Sequence, residues 1–269
     1  MPLYGIGTLG DLFSPRQALV MATLTGLASR ARAGDEHANE PGLATAAKTV
    51  LGLSVSRLGD ICNANCRWEN TKTQVRNLFT RQAIGMVWDF AEPNPLADAA
   101  GTHGVTLATM LTVVNGLGGV ATPGQASLAS ATRHPLPDDA ASAIFTDPPY
   151  YDAVPYAYLS DFFYVWLRRT LAGVHPALFR TAQVPKDGEI VVDRPHELSN
   201  SCKDVAFYER ELTTAFGEAR RVLRPEGVAT VVFASKTTAS WEAVLQAVVG
   251  AGWIITASWP VDTELENRI

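Results

Sequence analysis

An α/β fold with a parallel sheet is predicted for the second half of the chain by three observations. Strand-like apolar runs occur at Ala140–Thr146, Val228–Ala234 and Trp253–Trp259, helix-like runs lie between them at Phe162–Leu171, Asp204–Leu223 and Trp241–Val249, and turn-rich segments separate the two kinds. Strands and helices in alternation favour parallel neighbours, because a parallel pair needs a crossover connection. Residues 1–100 are expected to form a mostly helical part, an insertion or a cap, and residues 101–269 the sheet-bearing core.

The composition agrees with a folded chain. Its 269 residues are 47% hydrophobic and 18% charged, enough apolar material for one large core or two modest ones. Three cysteines cannot build a disulfide framework, and Cys62 and Cys66 form a single CxxxC without a second pair at finger spacing. No metal site is expected, and a reducing, cytoplasmic setting fits. Val105–Val114 is the apolar block of the longest uncharged stretch and is too short to span a bilayer; no leader pattern is visible either. A net charge of −5 excludes a polybasic nucleic-acid coat but leaves room for a local basic groove.

Taken in order, Gly5-Ile6-Gly7-Thr8-Leu9-Gly10 spells GxGxxG, but four residues precede it and no strand delivers it to a helix. A glycine-rich loop is therefore expected, not a dinucleotide site. Ser14-Pro15-Arg16-Gln17 predicts a helix start, with Ser14 as N-cap, proline at the first helical position and Gln17 closing a capping box; the helix should reach Arg32. A polar turn over Asp35–Gly42, helices near Leu43–Leu53 and Thr73–Ile84, and a core role for Trp88 ahead of Pro93-Asn94-Pro95 follow. Val105–Val114 reads as a helix ending at Asn115-Gly116. Pro176–Asn200 is a long loop, and Arg224-Pro225-Glu226-Gly227 a turn before the next strand.

The sharpest feature is Asp147-Pro148-Pro149-Tyr150, directly after the strand Ala143-Ile144-Phe145-Thr146. Ligands of open α/β sheets bind beyond the carboxyl ends of strands, where these four residues fall. Two prolines stiffen the loop and remove two N–H donors, so its carbonyls join the Asp147 carboxylate as acceptors. Such a set suits an exocyclic amino group, and Tyr150 offers a face for a planar base. Tyr151, Tyr156 and Tyr158 are further candidates to stack on or bind substrate, although burial beside the Phe162-Phe163-Tyr164-Trp166 helix is the commoner use. Asp152 and Asp161 are expected to be solvated or capping carboxylates.

The motif resembles the catalytic motif of S-adenosylmethionine-dependent amino methyltransferases. The longer stretch DPPYYDAVPYAYLSDFFYVWLRR, Asp147–Arg169, resembles a bacterial and archaeal group of large adenine-specific DNA methylases whose full-length members carry a zinc ribbon. The similarity continues at Gly10–Gln17, at Gln82–Glu92 and at Lys236–Glu242, in the same order, and EARRVLRPEGVATVVF resembles a late helix, turn and strand of class I methyltransferases. The resemblance implies a class I, Rossmann-like methyltransferase sheet, incomplete here, with the additional helical N-terminal part. It implies direct transfer to adenine N6 of DNA: Asp147 and the Pro148 carbonyl accept from the target amino group and stabilise the positive charge that develops on it. No cysteine follows a proline, which disfavours a cytosine C5 mechanism.

Proteins of that fold hold S-adenosyl-L-methionine in a glycine-rich loop after the first strand, with an acidic residue after the second. Neither Gly116-Leu117-Gly118-Gly119 nor Gly5–Gly10 follows a strand, so the cofactor loop is expected upstream of this chain or from a partner chain. The chain is likewise expected to stop short of a last helix and strand after Pro260–Glu264. By resemblance, Ser14 borders the methionine end of the cofactor, and Ala131 and Thr132, in Ser130-Ala131-Thr132, the turn beside its adenine. The alternatives are methylation of RNA guanine N2 or of a protein amide, or an inactive remnant that binds nucleic acid or a partner.

Overall fold

The computed structural model describes residues 5–32, 41–118, 124–193, 202–235 and 237–260. Most of the expected turn at 35–42, residues 194–200 of the long loop, Gly119, Lys236 and the segment after Pro260 lie outside these. By contact density the chain forms two compact units, Met1–Gln125 with Pro155–Lys186, and Ala126–Val154 with Asp187–Ile269. The division anticipated at residue 100 thus falls inside the first unit, which also takes the helix after the DPPY motif. Among the described residues there are six α-helices and two two-stranded sheets.

The first unit is helical. A 3-10 turn at Leu9–Leu12 precedes α1, Pro15–Arg30, whose start is the expected capping box: Ser14 Oγ accepts from the Gln17 amide at 3.3 Å, and Gln17 Oε1 from the Ser14 amide at 2.8 Å. Gln17, Met21, Thr25 and Ala28, spaced by four, four and three, form its buried stripe. Next comes α2, Pro41–Gly59, longer at both ends than expected. Met21 and Ala28 of α1 pack on Val55 and Leu58 of α2 and on Cys62. Burial raises the Cys62 and Cys66 thiols to about 11 and about 12, so both stay protonated.

Two expectations fail in the next stretch. The helix predicted over Thr73–Ile84 is instead a hairpin strand, β2 at Gln74–Arg76, paired antiparallel with β1 at Arg67–Glu69, followed by irregular chain. Thr73 turns the hairpin at φ +47°, and the β-branched Val75 that follows favours a strand over a helix. Trp88, expected in the core, is 97% exposed: its flanking chain forms no regular element that could bury it. The next helix, α3, spans His103–Leu117 and runs through Asn115-Gly116, expected as its stop, to a cap at Gly118.

The last helix of this unit, α4, begins at Tyr156, six residues before the apolar run that predicted it, and ends at Leu171. Pro155 marks the break, since proline cannot lie deeper in a helix without losing a hydrogen bond. Phe162 is 1% exposed beside Leu12 and Leu78, stacked on Phe13 at 5.7 Å and edge-on to Phe79 at 5.5 Å. Gly52 permits the close approach of α2 to α4, because a Cβ there would lie 2.8 Å from Leu171.

The second unit carries the parallel pair. β3, Ala141–Thr146, pairs with β4, Leu223–Val231, and the register jumps from Ala141↔Leu223 to Ala143↔Val228. The expected Arg224–Gly227 turn is therefore present as a bulge inside the strand, extra residues looping out of the ladder. Ahead of it runs α5, Val205–Val222, capped by Asp204, whose Oδ1 accepts from the Phe207 amide at 2.8 Å. α6, Thr238–Gly250, follows the sheet. Tyr208, Leu212 and Phe216 of α5 and Ala243, Val244, Ala247 and Val248 of α6 form the core, with Val231 of β4 and Phe233 just beyond it packed on it.

That core covers one sheet face only; Phe145 is 77% exposed. The strand expected at Trp253–Trp259 does not form. Gly252, at φ +81°, turns the chain after α6, and Trp253 Nε1 donates to the Phe216 carbonyl at 2.9 Å. With its first side chain tied to α5, the segment runs on without a ladder partner, and Ile254 and Trp259 are exposed. The β-α-β-α-β succession is thus reduced to one parallel pair among the described residues, and no continuous Rossmann-type sheet is present there.

The start of β3 is held by Arg221. Its guanidinium donates to Glu218 at 2.9 and 3.0 Å, to Asp138 at 2.6 Å, and to the carbonyls of Leu136 and His134 at 3.1 Å each. The Arg221 hydrogen bond, then the His134 amide, lower the Glu218 carboxyl to about 2. A carboxylate depressed in the folded state contributes stability that is complete above its unfolded value of about 4.3 and disappears as pH falls through the folded value. Acid titration followed by circular dichroism should therefore show stability lost between about pH 4.5 and about pH 2, with a shallower slope in Glu218→Gln. An identical slope in the variant would place the acid sensitivity elsewhere.

Candidate functional site

The DPPY motif leaves the carboxyl end of β3 as expected, and the Val232 amide donates to the Thr146 carbonyl at 2.8 Å, carrying the parallel pairing to the last residue before the motif. Asp147 is exposed, Pro148 buried, and Pro149 and Tyr150 half-buried. No hydrogen bond or ion pair engages the Asp147 carboxylate or the Pro148 carbonyl among the described residues. The Pro149 carbonyl differs: it accepts from Tyr208 Oη at 2.8 Å and from the Tyr151 amide at 2.9 Å. The Pro149 carbonyl, expected from the sequence to face a ligand, is therefore taken by the protein itself.

The loop is braced on the side of α5 and of the segment before it. Tyr151 sits at φ +44°, a left-handed conformation that costs a non-glycine residue about 1 kcal/mol or more. Among the contacts that hold it there, the Val192 amide donates to its carbonyl at 2.9 Å, and its ring meets Tyr208 edge-on at 5.2 Å. Val192 precedes an antiparallel bridge between Asp193 and Lys203. Buried Lys203 in turn donates to the Glu189 carbonyl at 2.8 Å and lies over the Phe207 ring.

Tyr150 meets Phe233 edge-on at 5.8 Å, and Phe233 meets Trp241 likewise at 5.0 Å. Trp241 Nε1 is anchored on the Ser235 carbonyl at 3.1 Å. This aromatic row runs from the motif past the end of β4 to α6. Tyr208, Phe233 and Trp241 were not singled out as site residues from the sequence. A signal was present for one of them: a tyrosine on the buried stripe of an amphipathic helix needs a partner for its hydroxyl.

Comparison with protein-family models, with curated proteins and with solved structures finds no match.

The residues proposed for the cofactor are engaged otherwise. Ser14 Oγ caps α1 and donates to Glu92 at 3.2 Å, while Arg16 reaches the same carboxylate at 2.6 Å. Thr132 donates its amide to Ser130 Oγ at 3.2 Å, and the two hydroxyls lie 2.8 Å apart in a turn that leaves Ala131 exposed. The Gly7 and Thr8 amides, which a phosphate loop would direct at a ligand, are taken by Asp11 Oδ2 at 2.9 and 2.7 Å. None of these forms a cradle for S-adenosylmethionine. Ser14 belongs to the first unit and Ala131 and Thr132 to the second.

Tyr156, the first residue of α4, is 39% exposed and belongs to the first unit, unlike Tyr150 and Tyr151. Tyr158 lies under Lys186 Nζ at 5.0 Å. Asp161 is neither solvated nor a helix cap: it accepts from the Val184 amide at 2.7 Å and from Lys186 at 2.8 Å, and so fastens the loop after α4. Asp152 is exposed. Among the described residues no group of His, Cys, Asp and Glu is placed to hold a metal ion, and no helix is long and apolar enough to cross a membrane.

Proposed function

We propose that this chain carries the acceptor half of a class I, S-adenosylmethionine-dependent amino methyltransferase acting on DNA, with adenine N6 as the target. One observation carries the proposal: at the carboxyl end of a parallel strand, on a loop stiffened by two prolines, a carboxylate and the carbonyl of the next residue have no hydrogen-bond partner among the described residues. An amino group offers two N–H donors, one for the Asp147 carboxylate and one for the Pro148 carbonyl. As the nitrogen is alkylated it gains positive charge, and a charged acceptor binds that state more tightly than the neutral amine. The aspartate in first place, instead of serine or threonine, supports adenine by the resemblance.

Half-buried Tyr150 offers its ring to the base, which duplex DNA must flip out of the stack to deliver. Because no donor cradle is found among the residues named for it, no step is assigned to the methyl donor. The cofactor loop is proposed to come from a preceding region or a partner chain. The test is calorimetric titration of the chain with S-adenosylmethionine, followed by incubation of both with DNA and mass analysis of the nucleosides. Saturable binding and N6-methyladenine are expected once the region that supplies the cofactor loop is present. A folded chain that transfers no methyl group to DNA, alone or with its partner region, overturns the proposal.

A further inference from the structure

Tyr208 is the largest side chain of the second core that is wholly buried, yet it ends in a hydroxyl. That hydroxyl is directed at the DPPY loop, 2.8 Å from the Pro149 carbonyl, which also takes the Tyr151 amide. A carbonyl oxygen has two lone pairs, so this one is saturated. Two prolines supply no N–H by which their loop could be tied to the protein, and such a loop is held chiefly through its carbonyls. We propose that Tyr208 is the positioning residue of the methyl-acceptor site: by occupying the Pro149 carbonyl it keeps that peptide turned inward, leaving Asp147 and the Pro148 carbonyl as the two acceptors for the amino group. The role rests on the amino-methyltransferase proposal.

The anchor is suited to the task. Its ring is packed in the core built by Leu212, Phe216, Val244 and Ala247, on a helix whose first turn is capped by Asp204, so the hydroxyl is placed by a rigid element. The edge-on contact with Tyr151 fixes the residue that follows the motif. Burial raises the phenol to about 12, which keeps it a proton donor at any pH at which the protein works.

The experiment compares the chain, assayed together with the region that supplies the cofactor loop, with its Tyr208→Phe variant, which deletes the hydroxyl and retains the ring, in steady-state methyl transfer to DNA. The expected result is an unchanged circular dichroism spectrum, a melting temperature lowered by about 2–4 °C, a KM for DNA within about twofold, and kcat lowered about tenfold or more through loss of loop placement. In an Asp147→Ala background the same change should have no further effect on the residual rate, because it acts through the loop that presents Asp147. Wild-type kcat in a folded Tyr208→Phe chain overturns the role while leaving the function intact, as does a full independent loss in the double variant. Absence of transfer by the wild-type chain overturns both.

Discussion

Asp147→Ala is expected to cut methyl transfer to a small residual rate and to leave the melting temperature essentially unchanged. The carboxylate is exposed and engages no partner among the described residues, so its removal strips no interaction from the fold. What is lost is the charged acceptor that meets nitrogen as it becomes cationic, and removal of one such preorganised group costs about 10²–10³ in kcat. Asp147→Asn sharpens the result. It keeps the shape and a neutral acceptor oxygen but loses the charge, and should fall between the wild type and alanine. Product analysis by mass spectrometry and a thermal melt on the same preparations check both halves. Full activity in either variant would remove Asp147 from the chemistry, and loss of the fold would give it a structural role.

Phe162→Ala should produce the largest loss of stability. Its ring is 1% exposed and touches Phe13, Phe79 and Phe163, so truncation removes the transfer free energy and opens a cavity among three rings that cannot all collapse inward. A buried Phe→Ala change costs about 3–5 kcal/mol. Urea denaturation should show the first unit melting at a markedly lower midpoint, while Phe162→Leu, which refills much of the space, should recover most of the difference. Trp166 provides a contrast in the same helix. Its Nε1 is buried with no hydrogen-bond partner among the described residues, so Trp166→Phe deletes an unsatisfied donor along with apolar area and should cost far less than Phe162→Ala.

Where the sequence was legible, the reason was local. The Ser14-Pro15-Arg16-Gln17 box, the stripe of Tyr208, Leu212 and Phe216, and the short run Ala141–Thr146 are set by neighbours within one turn or one strand, and all formed where expected. The errors at Thr73–Ile84, Trp88 and Trp253–Trp259 share a cause. Each asked for a partner that pattern alone cannot supply: a face to bury against, a ladder to join, or a strand on the other side of a hairpin. Glycine letters misled in the same way, because Asp11 folded back on the Gly7 and Thr8 amides and occupied the donors that the motif GxGxxG would offer a phosphate.

For the site, the sequence by itself determined the motif, the strand that delivers it and the chemistry its atoms can perform, since Asp147, Pro148, Pro149 and Tyr150 are contiguous and their donors and acceptors follow from residue type. Only the tertiary structure decided which acceptors remain available. That depends on Tyr208, far along the chain, and on Val192, whose amide holds the left-handed Tyr151. A hydrogen bond between distant residues leaves no periodicity to read, and a carbonyl is free or taken only when the fold has brought a donor to it or kept one away.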